Sequence, residues 1–157
     1  MALEQTVERG DRRELVGMSI LERQKEIVAE FSGLSDWEDR YKKLIEFGKD
    51  LPELPDDKKL DDFKVKGCQS QVWIHARMEN GKVIFEADSD AILVRGLVAL
   101  LLRVYSEATP KEILETPPDF VKEIGLESKL SPSRANGLVS MIKQMKFYAM
   151  AFQYKAN

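Results

Sequence analysis

An α+β fold, with a small antiparallel sheet of about three strands packed against several helices, is what this chain predicts. Three observations lead there. Apolar residues recur at helical spacing before residue 50 and after residue 109, whereas residues 72–87 alternate with a period of two. Asn80-Gly81 stands between two such alternating runs, the strongest short hairpin signal a sequence carries. The longest apolar run, AILVRGLVALLLRVY at 91–105, reads as a buried core helix.

The elements follow in order. Ser19 and Glu22 have capping-box spacing and open a helix over 20–32, with the stripe Ile20, Ile27, Phe31 and a stop at Gly33. Ser35 with Glu38 opens a second, whose apolar face is Trp37, Tyr41, Leu44, Ile45 and Gly48. It ends before LPELP, because a proline disfavours a helical residue ahead of it. DDKKLDD (56–62) reads as a solvated loop, and DFKV (62–65) as a third strand. In QVWIHARM, Val72, Ile74, Ala76 and Met78 share one face, and Trp73, His75 and Arg77 the other. KVIFEA returns with Val83 and Phe85 inward. Asp88, Ser89 and Asp90 offer capping oxygens to the apolar helix. Thr109-Pro110-Lys111-Glu112 starts a short helix, and another over 118–124 stops at Gly125. Ser131-Pro132 opens a last long helix bearing Leu138, Met141, Ile142, Met145, Ala149 and Phe152.

The bulk composition narrows the function classes. The chain has 157 residues, 43% hydrophobic and 32% charged, as one soluble domain would. Residues 1–18 read as a tail and 19–157 as a single domain. A net charge of −3 gives no reason to expect nucleic acid. The N-terminus is too charged for a secretory signal, and 91–105 is short of a span and broken by Arg95 and Arg103, so no membrane is expected. One cysteine, Cys68, excludes a disulfide framework and fits a reducing, cytoplasmic compartment.

Cys68 is the residue to explain. As a lone thiol it is either small buried packing or a group that reacts with something from outside. Gly67 beside it permits a tight turn at positive φ, and Gln69, Ser70 and Gln71 offer hydrogen bonds to a thiolate or a terminal sulfur. An unperturbed thiol is only about 3% ionised at pH 7, so small stabilisation changes its reactivity. No resolving cysteine exists, zinc needs about four ligands, and the only histidine, His75, falls an odd number of positions away in strand register. A metal site is therefore not expected. Neither is an iron–sulfur scaffold, which needs about three cysteines, nor a peroxide-reducing site at a helix start. Arg134 begins the apolar stripe of the last helix in its first turn, where the dipole disfavours a cation. Such a residue should meet an anion: a surface carboxylate, the DSD loop, the thiolate or a docking partner.

Three blocks in order, KVKGCQSQVW, DSDAILVRGLVALLL and LSPSRANGLVSMIKQMK, make the chain resemble the SufE/CsdE family of sulfur acceptors, over about residues 20–153. The resemblance implies the α+β fold shared with IscU-type scaffolds and a role in iron–sulfur cluster assembly. It implies that Cys68 accepts persulfide sulfur from a PLP-dependent cysteine desulfurase of the SufS or CsdA kind and passes it on to a SufBCD-like scaffold or another acceptor. Gly67, Gln69, Ser70, Asp90 and Arg134 would support the loop and the partner contact. PLP would belong to the partner, so no cofactor is expected here, and the chain would not be an independent enzyme. The alternative is a module that activates a desulfurase without carrying sulfur, with Cys68 as packing.

Overall fold

The computed structural model describes residues 17–156. Helix α1 (Ile20–Ser32) starts where its cap lies: Ser19 Oγ accepts from the Glu22 N–H, and Glu22 returns the bond to the Ser19 N–H. Gly33 ends it, as expected, though at a right-handed φ of −76°. Helix α2 (Trp37–Asp50) is capped by Asp36 and not by Ser35, because the Asp36 carboxylate reaches the Glu38 N–H. Its face packs on α3 (Ile92–Tyr105), the apolar segment, at a crossing of two glycines. A Cβ on Gly96 would stand 2.1 Å from the Leu44 carbonyl oxygen, and one on Gly48 2.8 Å from the Gly96 nitrogen. Only glycine lets these backbones approach so closely.

The sheet is a hairpin. Strands β1 (Val72–Glu79) and β2 (Lys82–Ser89) pair antiparallel from Val72↔Ser89 to Glu79↔Lys82. Asn80 and Gly81 turn the chain at φ of 53° and 78°, the positive values of a two-residue turn that matches strand twist. The expected third strand at 62–65 shrinks to one bridge, Lys64↔Trp73, because Asp61–Phe63 coils into a single 3₁₀ turn. The charged loop is also more engaged than a solvated one. Lys58 pairs with Glu86 at 2.8 Å, and Lys59 lies 3.8 Å from Asp88 and over the Trp73 ring. His75 sits on that outer face, edge-on to Phe63 and 3.3 Å from Glu86.

Three short helices follow: α4 (Pro110–Glu115), α5 (Asp119–Ile124) and α6 (Leu126–Lys129). Thr109 caps α4 through the Glu112 N–H, but the Glu112 carboxylate turns to the Ile20 N–H, tying α4 to α1. Gly125 closes α5 at φ 87°. The last helix, α7 (Pro132–Ala156), buries Leu138, Met141, Ile142, Met145 and Ala149 as its spacing predicts. Tyr148 on α7 donates to the Ile74 carbonyl at 2.8 Å, fixing that helix against β1.

Buried charge locks the layers together. Arg23, 2% exposed, donates to the carbonyls of Val104, Ser106 and Glu107, which need partners where α3 ends. Arg103 on α3 pairs with Glu26 and Glu30 of α1. Among the described residues no helix is long and apolar enough to cross a membrane.

Candidate functional site

Cys68 lies on the five-residue loop 66–70, which is fastened at both ends. At one end the Val65 N–H donates to the Val72 carbonyl at 2.8 Å. At the other, the Gln71 N–H donates to Asp90 Oδ1 at 3.0 Å, and the Asp90 N–H donates back to the Gln71 carbonyl at 3.2 Å. Asp90 is thus a clasp on the loop. It caps no helix: α3 begins after Ala91 without a side-chain cap. Asp88, expected as a cap, is instead buried at the end of β2, accepting from Arg95 at 2.9 Å and from the Leu54 and Ser89 N–H groups. Ser89 comes nearest to the expected role, accepting from the Ala91 N–H. Strand β2 runs on to Ser89, so Asp88 serves the sheet edge and Asp90 the loop, and neither carboxylate caps the helix.

The loop lies against α7. Gly67 adopts φ 94°, and a Cβ there would meet Ser140 Oγ at 2.7 Å. Cys68 rests on Gly137, whose missing side chain makes the room: a Cβ at that position would stand 3.3 Å from Sγ. The thiol donates to the Gly137 carbonyl at 3.6 Å. Half-buried, it opens on a cleft of about 230 Å³ with Val94, Leu97 and Met141 as buried floor and Gln69, Ser70, Ser131, Ser133 and Arg134 around them.

Of the residues predicted from sequence, the cleft brings Cys68, Gln69, Ser70 and Arg134 together. Gly67 supports the loop from the α7 side, and Asp90 holds its far end. The expected donors do not reach the sulfur. Gln69 Oε1 accepts from Ser133 at 3.3 Å, and the Gln71 side chain turns to Asp90. Burial pushes the Cys68 thiol above its ordinary value, and the bond to Gly137 uses the proton, so the resting group is a thiol and not a thiolate. Arg134 is exposed, and among the described residues no carboxylate pairs with it. Among the described residues it makes neither the ordinary ion pair nor a link to the DSD loop. It is the one cation on the cleft wall among the described residues.

Sequence reasoning missed Gly137, Ser140, Ser131 and Ser133. Gly137 left a signal: a glycine inside a helix costs about 1 kcal/mol relative to alanine and often marks a close approach.

The comparisons with known proteins decide the family. Residues 25–149 match the family described as SufE, Fe-S metabolism associated domain. The chain belongs to the SufE family. Over 127 residues it is 46% identical to an uncharacterized SufE-like protein of Synechocystis, covering 81% of this chain and 80% of that one. An uncharacterized SufE-like protein of Rhizobium meliloti is 45% identical over 126 residues, covering 77% and 90%. The Arabidopsis SufE-like protein 1, chloroplastic/mitochondrial, is 42% identical over 134 residues, 85% of this chain and 36% of that longer protein. A solution structure of a hypothetical protein from Thermus thermophilus superposes with a TM-score of 0.70 at 27% identity, covering 82% of this chain and 94% of the other. Membership places this SufE-family chain in Fe–S metabolism.

Proposed function

We propose that this SufE-family chain is a sulfur carrier that takes persulfide sulfur onto Cys68 from a PLP-dependent cysteine desulfurase. Stimulated desulfurase turnover and delivery to a SufBCD-like scaffold or another acceptor complete the role, in a reducing compartment such as the cytoplasm. The observation that carries this reading is the seat of Cys68: a lone thiol on a clasped loop, half sheltered by Gly137, at the edge of a cleft larger than one sulfur atom needs. PLP stays with the partner, and the carrier itself requires no cofactor.

The transfer is a thiol–disulfide exchange. The Cys68 thiolate attacks the outer sulfur of the partner's cysteine persulfide. A new S–S bond forms on Cys68, the partner's S–S bond breaks, and its cysteine leaves as a thiolate. The proton lost by Cys68 balances the one that thiolate takes up, and nothing is oxidised or reduced overall. Because the resting thiol is protonated and turned to Gly137, the loop must first come forward. Docking selects an extended state of residues 66–71, with Gly67 as the pivot and the Asp90 clasp opened. Once loaded, the sulfur returns to the cleft, where Arg134 faces its charge and Gln69 and Ser70 can donate to it.

One observation favours a second reading, a module that activates the desulfurase without carrying sulfur: the thiol is buried enough to be ordinary packing. Incubation with L-cysteine and a cognate desulfurase, then intact-mass analysis without reductant, separates the two. Sulfur gained by the wild type and absent from Cys68→Ser supports the carrier. No gain, with activation kept by Cys68→Ala, supports the module. Equal hydrogen-exchange protection of residues 66–71 with and without the desulfurase would refute the loop movement.

A further inference from the structure

Eight large hydrophobic side chains stand exposed among the described residues, and four of them share one face of α7. Val139, Phe147, Met150 and Tyr154 are 50, 65, 53 and 84% exposed. At helical spacing they fall within about 80° of one another, on the far side of α7 from the row of Leu138, Met141, Met145 and Ala149 that fills the core. Lys143 lies inside that sector and Lys146 at its margin, and neither pairs with a carboxylate among the described residues. The helix as a whole holds Arg134, Lys143, Lys146 and Lys155 and no aspartate or glutamate. Since the full chain carries −3, everything outside α7 carries −7. The molecule is therefore polarised: the helix that shows its largest apolar stripe is free of acidic residues and net positive, while the rest is net negative.

We propose that this face of α7 docks an acidic amphipathic helix of another protein. From Val139 to Tyr154 the stripe is about 22 Å long, four turns of helix. A helix laid along it would cover Phe147, Met150 and Tyr154, of the residue types that dominate interface centres, and set its carboxylates on Lys143 and Lys146. Charge decides between possible occupants. Two copies of this chain pairing face to face would bring Lys143 and Lys146 against their own counterparts. An anionic bilayer would meet repulsion from the remaining −7. An acidic helix has no like-charged copy to face, and its contact is no wider than the stripe, where Lys143 and Lys146 are the charges it touches. Cys68 opens beside the first two turns of α7, on a different side of that helix, so the occupant leaves the thiol accessible. The inference therefore does not depend on whether Cys68 carries sulfur.

The probe is a synthetic amphipathic peptide of about 16 residues, long enough to cover the stripe, with leucine on one face and glutamate at its margins. A second peptide has lysine in place of each glutamate. The full-length protein is titrated with each, and with phosphatidylglycerol-containing vesicles, while hydrogen exchange follows residues 139–154. The expected result is saturable binding of the acidic peptide alone, with protection confined to that face. Binding should weaken about tenfold in Lys143→Glu/Lys146→Glu and in Phe147→Ser/Met150→Ser, and should weaken with added salt. All four positions are exposed or near the surface, and each pair serves if the other misfolds. The proposal is overturned if the acidic peptide does not saturate or if both peptides bind equally. It is also overturned if vesicles protect the face, or if protection rises with protein concentration alone through dimerisation.

Discussion

Gly137→Ala tests the seat of the thiol with one methyl group. The added Cβ would stand 3.3 Å from Cys68 Sγ, tighter than ordinary contact, so the sulfur has to shift by a few tenths of an ångström. Two terms act on stability with opposite sign. Alanine gains about 1 kcal/mol over glycine in a helix interior. Crowding a packed site costs about 1–3 kcal/mol, with a loop neighbour giving way near the lower end. Urea unfolding should therefore change by no more than about 1 kcal/mol. Thiol chemistry should change more. Cys68 owes its raised pKa to burial, so each pKa unit recovered on displacement increases the thiolate about tenfold. A less basic thiolate is a weaker nucleophile, with a Brønsted slope near 0.4–0.5, so the net gain is about three- to fourfold per unit. Alkylation by iodoacetamide between about pH 6 and 10, followed by intact mass, measures both the rate and its midpoint. An unchanged rate and midpoint in a folded Gly137→Ala protein would refute the idea that Gly137 shelters the sulfur.

Gly67→Ala should destabilise by about 1–2 kcal/mol, since a side chain at φ 94° is strained and its Cβ would lie 2.7 Å from Ser140 Oγ. Adding Ser140→Ala should restore only the steric part, which a double-mutant cycle in urea resolves. Arg134→Ala should unfold like the wild type, its side chain being exposed, yet accept sulfur roughly fivefold more slowly, from the loss of about 1 kcal/mol of charge stabilisation. Stability should also depend on pH through Cys68. Its folded pKa is raised, and the charged form is the one that burial disfavours. Below the unfolded value of about 8.5 both states hold the thiol proton and stability is fully present; above it the unfolded chain ionises first, so stability is lost as pH rises until it has passed the folded value. Urea midpoints across that range should fall further in the wild type than in Cys68→Ala.

What the sequence made legible was mostly local. The Ser19–Glu22 box, the Asn80-Gly81 turn, the Gly125 stop and the stripe of α7 each depend on residues near one another in the chain, and all four form as read. Failures came where a side chain had a better partner far away. Asp88 was legible as a cap but is drawn into the sheet edge by Arg95 and the Leu54 N–H, 34 positions distant. Arg23, outside the Ile20, Ile27 and Phe31 stripe, is buried on carbonyls more than 80 positions on. The same holds for the site. Cys68 and its loop could be singled out from their neighbours, but the wall against which the thiol rests is Gly137, 69 positions away. No local pattern states that contact. Only the three blocks taken together, through their resemblance to a family, tied the GCQS loop to the SPSR helix.

A single-turnover transfer tests the central claim most directly. A cognate desulfurase, preloaded with persulfide and freed of L-cysteine, is mixed with the chain, quenched by alkylation and analysed by peptide mass. The carrier account predicts that one sulfur disappears from the desulfurase cysteine as one appears on the peptide holding Cys68. Sulfur that stays on the desulfurase, or departs as sulfide without ever residing on Cys68, would contradict it.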